Sequence, residues 1–248
     1  MVKARICFIL MLLLISLTTD NVHADWSIDI ESGLAFSGYN DVRIPGNTGT
    51  DISLSQDLEA KSTAFGRLRL GIELSDRHQL SLLIAPLRFE SSGTLDRDVD
   101  FNGVRFDSGI HLNSLYRFDS YRVTYQYTLF NNEGIRVGIG LTGKIRDASI
   151  RIENASVHSE KTNTGFVPLI NFAIDWRLYS KLGLIFEGDA LAAPQGRAED
   201  VQLAIYGKPS NHLRLRLGYR VLEGGADNDE VYNFALVHYV SAGVSWTF

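Results

Sequence analysis

Residues 241–248 read SAGVSWTF and complete an alternation that reaches back to Phe234. Phe234, Leu236, Val240, Ala242, Val244, Trp246 and Phe248 fall on one face, with Tyr239, Ser241, Gly243, Ser245 and Thr247 on the other. That period of two marks a strand whose two sides have unlike surroundings. His238 is the odd member of the apolar face. Chain ends ordinarily fray, so a strand running to the last residue is expected to be held by a partner, closing a sheet.

The same signature recurs upstream. Leu68, Leu70, Ile72 and Leu74 stand opposite Arg67, Arg69, Gly71 and Glu73, and Leu213, Leu215, Leu217, Tyr219 and Val221 opposite Arg214, Arg216, Gly218 and Arg220. Ten strands can be drawn, near 26–38, 62–74, 79–91, 112–130, 134–151, 163–179, 181–193, 199–207, 211–223 and 233–248, with eight or twelve as alternatives. Their connections alternate: short at 75–78, 131–133, 180 and 208–211, mostly longer at 39–61, 92–111, 152–162 and 224–232, with 194–198 the exception. Short turns on one side and longer loops on the other are expected of an all-β, transmembrane, antiparallel up-and-down barrel in an outer membrane. Trp26, Trp176 and Trp246 fall at strand ends on the short-turn side, where indole rings mark a membrane interface. Phe36, Phe65, Phe118, Phe166 and Phe234 are candidates for the opposite girdle.

The first residues, MVKARICFILMLLLISLTTDNVHA, place Lys3 and Arg5 before an apolar run and end on a small residue, the form of a secretory signal peptide. The run from Ile6 to Leu17 is too short to span a bilayer, which takes about 20 residues. Residues 1–24 are therefore read as a cleavable signal and 25–248 as the barrel. Losing Lys3, Arg5 and Asp20 leaves 22 basic against 28 acidic side chains, a formal −6, from −5 for the whole chain. A mildly acidic chain without a basic tail lacks the concentrated positive surface that nucleic acid requires. Cys7 leaves with the signal, so no disulfide is expected. A membrane protein built from these segments must be a closed sheet, because lipid offers no partners to open backbone groups.

With a cleavable signal, an alternating terminal strand and a final Phe248, residues 25–248 resemble the bacterial outer-membrane β-barrel class, in particular small monomeric OmpA-like and OmpW-like barrels. The resemblance implies residence in the outer membrane of a Gram-negative bacterium, among lipid and lipopolysaccharide. It also implies recognition by the barrel-assembly machinery through Val244, Trp246 and Phe248, and a monomeric state. No periplasmic domain is expected after the last strand.

If the apolar faces meet lipid, the inward set contains Asp29, Glu31, Arg67, Arg69, Glu73, Arg122, Arg136, Lys144, Asp175, Arg177, Glu187, Asp189, Arg214, Arg216 and Arg220. All but Lys144 form the expected lumen charge network. Paired, these charges plug a narrow bore, which suits a structural or surface-binding barrel; left in surplus, the arginines line a small anion-favouring pore. A hydrolase is the third reading. Barrel lipid-A deacylases resemble a His-x-Ser arrangement on one strand face, but Val240 stands where that serine would follow His238, and Ser241 faces the other side. The strand number is similar to that of omptin-like proteases, without a residue-by-residue match. The expectation is therefore a protein that is not an enzyme, with no catalytic residues, metal or cofactor. The loop acids around Asp41–Glu59, Asp96–Asp107 and Glu223–Glu230 are expected to be solvated, and their spacing does not reproduce a calcium loop. His78 and His212, both in short turns, make a weak metal pair.

Overall fold

The computed structural model describes residues 25–193 and 196–248; the expected signal at 1–24 lies outside them. The ten barrel strands are β1 (Asp25–Arg43), β2 (Thr63–Ser75), β3 (His78–Ala85 and Arg88–Thr94), β4 (His111–Asn131) and β5 (Ile135–Glu153), followed by β6 (His158–Tyr179), β7 (Leu182–Ala193), β8 (Gly196–Gly207), β9 (Leu213–Asp227) and β10 (Tyr232–Thr247). Each pairs antiparallel with its chain neighbours, and β10 pairs with β1 from Ser27↔Thr247 to Arg43↔Tyr232, so the sheet closes. Phe248 itself donates its N–H to the Trp26 carbonyl at 2.9 Å. The terminal strand is thus the seam of the ring. β3 is interrupted at Pro86-Leu87, where proline offers no N–H; Phe118 N–H to the Leu87 carbonyl, 2.9 Å, carries the ladder across.

The outward face of β1 is apolar from Trp26 to Phe36 except at Ser32, whose hydroxyl donates to the Phe65 carbonyl at 2.7 Å. Eleven residues match the 9–11 of a tilted spanning strand. Ile84, Tyr121, Ile145 and Phe166 end the apolar belt on β3 to β6. Just beyond it Arg88, Arg117, Asp119 and Asp147 form an ion-paired row.

Several strands continue beyond that row. β1 extends to Arg43, β6 begins at His158 and β9 reaches Asp227, so the connections read as loops at 152–162 and 224–232 shrink to 154–157 and 228–231. The expected strand ends fell where the lipid-facing alternation stops, although the backbone ladder carries on. In this outer half the pattern inverts. On β5 the inward residues are Ile150 and Ile152, both buried, while Asp147, Arg151 and Glu153 lie on the outward face.

The two long connections are also not solvated tips. Ile44, Ile52, Leu54 and Leu58 from 44–62, with Leu95, Val99, Phe101 and Phe106 from 95–110, pack against Phe89, Leu112 and Ile152 in one buried cluster. Residues Val99–Phe101 and Val104–Phe106 form a small hairpin within it. Loop acids are tied down by arginines: Asp57 to Arg97 at 2.6 Å, Asp51 to Arg43 at 3.2 Å, and Asp98 to Arg105. The result is a folded cap over one side of the barrel mouth. Phe65 and Phe118 therefore leave the expected girdle. Phe65 is buried inside, edge-on to Tyr239 at 4.8 Å, and Phe118 faces inward beneath Tyr116.

The wall is incomplete between β6 and β7. β6 pairs with β5 from His158↔Glu153 to Trp176↔Ile135, but with β7 only from Ile170↔Ala190 down to Tyr179↔Leu182. Residues 158–169 therefore have no ladder partner on that edge among the described residues, although Asn102 donates to the Glu160 carbonyl at 3.1 Å and Lys161 reaches Glu230 at 3.7 Å. Pro168, two residues past the last pair, has no N–H to contribute to a ladder there. Because Phe166 and Pro168 still belong to the apolar belt, the gap starts below the lipid boundary and continues outward.

Candidate functional site

Alternation within the belt turns polar side chains inward, and the bore is narrow enough for them to meet across it. Asp200 on β8 is the hub. Both Arg67 Nη atoms lie 3.1 Å from its Oδ2, Arg122 Nη2 2.5 Å from the same oxygen, and Arg220 Nη1 2.7 Å from Oδ1. Glu31 accepts from Arg220 Nη2 at 2.8 Å and Nε at 3.1 Å, and Asp189 accepts from Arg122 at 2.7 Å. Gln202 fills the remaining valences, donating to Glu31 at 3.0 Å and Ser241 at 3.1 Å and accepting from Arg220 at 3.0 Å. Thr142 and Asn171 complete Asp189, at 2.7 and 2.8 Å. Three carboxylates face three guanidiniums, all buried. The layer is neutral in itself and satisfied by hydrogen bonds, the two conditions under which charge can be buried at tolerable cost.

Toward the short turns the bore stays charged and, apart from the buried Arg216, is more exposed. Arg216 pairs with Asp29 at 2.7 Å, Arg214 with Asp175 at 3.0 Å, Arg136 with Glu73 at 3.0 Å and Arg69 with Glu187 at 3.3 Å. Tyr206 also donates to Asp175, at 2.6 Å. Arg177 lies apart from this set, donating to the Asn132 carbonyl and the Asn131 side chain of a turn. The expected inward list lacked Asp200 and Gln202. Their signal was present: Asp200, Gln202, Ala204 and Tyr206 share one face against Val201, Leu203 and Ile205.

Two cavities flank the layer and have no lining residue in common. The inner one, about 260 Å³, is walled by the pairs just described. The outer one, about 460 Å³, is walled by Tyr116, Phe118, Ile150, Leu222 and Val237 and carries Lys144 and Arg146. It reaches both edges of the wall gap, at Val167 and Pro168 on β6 and at Leu191 and Ala198 on β7 and β8.

The histidine candidates separate. His238 is on the lipid face, its Nδ1 2.6 Å from the Tyr219 hydroxyl, whereas Ser241 is buried inside. His78 meets the Tyr125 hydroxyl at 2.7 Å and His212 the Thr247 carbonyl at 2.9 Å, each in its own turn. Among the described residues no group of three or more potential metal ligands is found. The outward Trp26, Trp176 and Trp246 are about half exposed at the short-turn ends of β1, β6 and β10.

No protein-family model matches the sequence, and no curated protein matches it. Among solved structures, the outer membrane protease OmpT from Escherichia coli is similar over 94% of this chain and 99% of that chain, with TM-score 0.61 and 10% identity. The transport unit of the autotransporter AIDA-I from Escherichia coli gives TM-score 0.45 at 8% identity over 94% of each chain. An outer membrane channel from Pseudomonas putida F1 gives 0.44 at 10% identity, over 90% of this chain and 95% of that one. At such identities the likeness is one of fold: a closed ten-stranded antiparallel barrel resembling small bacterial outer-membrane barrels, with a salt-bridged lumen.

Proposed function

We propose that the protein is an ion-tight barrel of a Gram-negative outer membrane whose work is binding at its external half, without conduction or catalysis. The observation that carries this reading is the neutral layer around Asp200, which stands between two separate cavities. A pore would need a continuous wet path, and each arginine of the inner cavity already has a carboxylate. The external half, by contrast, is built with a core, a cap and an open cavity. On this reading residues 1–24 direct export and are removed, and the outward Val244, Trp246 and Phe248 of β10 address the barrel-assembly machinery. The protein works as a monomer. Lipid covers the apolar belt, and lipopolysaccharide meets the Arg88 and Arg117 row above it. OmpT is a protease, but shared strand number and shape transfer no active site.

The test is conductance of the folded, heat-modifiable protein in a planar bilayer. Insertion without current is the expected result. Reproducible openings whose anion preference falls when Arg214 and Arg216 are neutralised would replace this reading with the pore.

A further inference from the structure

The layer around Asp200 consumes its own charges, yet two cations on its outer side are left over. Lys144 is 3% exposed and engages in no ion pair among the described residues; its Nζ rests 4.7 Å from the centroid of the Phe118 ring. Arg146, two residues along the same inward face of β5 and half-buried, makes no ion pair among the described residues; it donates to Asn163, and its buried Nε has no partner there. The nearby carboxylates Asp189 and Asp200 are already taken by Arg122, Arg67 and Arg220. Buried cations are normally paired, because desolvation without a counter-charge is costly. Both line the 460 Å³ cavity, whose apolar wall is Tyr116, Phe118, Ile150, Leu222 and Val237 and whose remaining charges pair among themselves, Lys161 with Glu230 and Arg197 with Glu223. That volume lies in the range of small-molecule sites, which combine apolar walls with a few polar groups.

We infer that this cavity is a binding site for a small amphipathic anion. Its acidic head sits between Lys144 and Arg146, its apolar body lies on the aromatic and aliphatic wall, and it enters through the gap between β6 and the β7–β8 hairpin. Nearest the lipid belt the gap meets the cavity at apolar residues, Phe166, Val167 and Pro168 on one side and Leu191 and Ala198 on the other, while Lys161, Asn163 and Arg197 line it further out. A molecule with a hydrocarbon body can therefore pass without uncovering the wall to water. The site gives content to the surface-binding reading and rests on it for the direction of access.

The test is equilibrium dialysis of radiolabelled decanoate against the mature protein in phosphatidylcholine nanodiscs, with empty nanodiscs subtracted. One saturable site per barrel is expected, with acetate and decanol failing to compete at equal concentration. Lys144→Gln should weaken binding about tenfold or more, the scale of one charge-assisted hydrogen bond. Ala148→Phe keeps both cations but fills part of the wall and should also weaken binding. Retained heat-modifiable mobility verifies the fold of each variant. Repeating the titration with phosphatidylglycerol in the discs distinguishes sources: unchanged affinity assigns the site to a free anion, and competition assigns it to the head of a bilayer lipid. No saturable binding above empty discs, wild-type affinity in the Lys144→Gln variant, or equal binding of decanol would overturn the proposal. A conducting barrel in the bilayer test would leave these results standing, so the two readings fail separately.

Discussion

The two halves of the barrel are built from the same strands with opposite chemistry. Within the belt, β4 turns Arg122, Thr124 and Gln126 inward and Tyr121, Val123 and Tyr125 outward; above it, the inward face carries Leu112, Tyr116 and Phe118 and the outward face Asn113, Arg117 and Asp119. On β4 the alternation keeps its period across this boundary; only its polarity reverses. The solvent explains why. Lipid outside rewards apolar side chains there and leaves polar ones to meet in the bore, whereas water outside the upper half restores the ordinary apolar interior. The outer cavity lies where the inward face passes from charged to apolar, so an amphipathic site follows from the inversion itself.

If the lower half is held by a charged interior, its hub should be its most sensitive point. Asp200→Asn leaves Arg67, Arg122 and Arg220 facing a neutral amide in a buried layer, and removing one partner of such a cluster costs about 3–5 kcal/mol. Urea unfolding of the protein in lipid, followed by loss of heat-modifiable mobility, measures it. A cost under about 1 kcal/mol, the scale of an exposed pair, would mean that the layer is hydrated and that the contrast between halves is overstated.

The inversion can be tested along one strand. Ile170 and Thr162 are both outward on β6, one inside the lipid belt and one above it. An arginine on the lipid face near mid-depth costs about 2–4 kcal/mol, so Ile170→Arg should shift the same unfolding curve by that amount. Thr162→Arg, on a face that meets water, should stay within about 0.5 kcal/mol. Equal effects would place both positions in one environment and refute the boundary drawn at Phe166.

How much of this was legible beforehand follows from the same inversion. The strand count, the closure at Phe248 and the inward Glu31, Arg67, Arg122 and Arg220 could be read because a lipid-facing strand alternates in one known sense. Above Ile145 and Phe166 that sense is reversed. HSEKT at 158–162 shows no apolar face and looked like loop, although it pairs residue by residue with β5. The cap was hidden differently: Ile44, Leu58, Phe101 and Phe106 have no periodicity, and their burial depends on contacts between segments far apart in the chain. Asp200 was missed at a strand end, where an apparent boundary conceals which face a residue shares. Lys144 was placed inside, but the absence of a partner for it is a property of three-dimensional packing.

The smallest expected effect concerns the charges of the outer half, which lie in water. Asp98 is held below the usual carboxylate range by the Ser108 backbone N–H, which donates at 2.8 Å, and by Arg105. A lowered folded value means that its contribution is fully present above the unfolded value and is lost as pH falls through the folded one. Order in the hairpin Val99–Phe106 should therefore weaken only when pH drops below the usual carboxylate range, and only slightly, because the pair is exposed and screened. Hydrogen exchange of the hairpin amides across that acid window, compared with Asp98→Asn, isolates the contribution. The variant should lose the pH-dependent component while the spanning strands stay protected in both proteins. If instead protection of the spanning strands moved with Asp98, the cap and the membrane-embedded half would be one cooperative unit, and the inversion would divide the barrel's chemistry without dividing its stability.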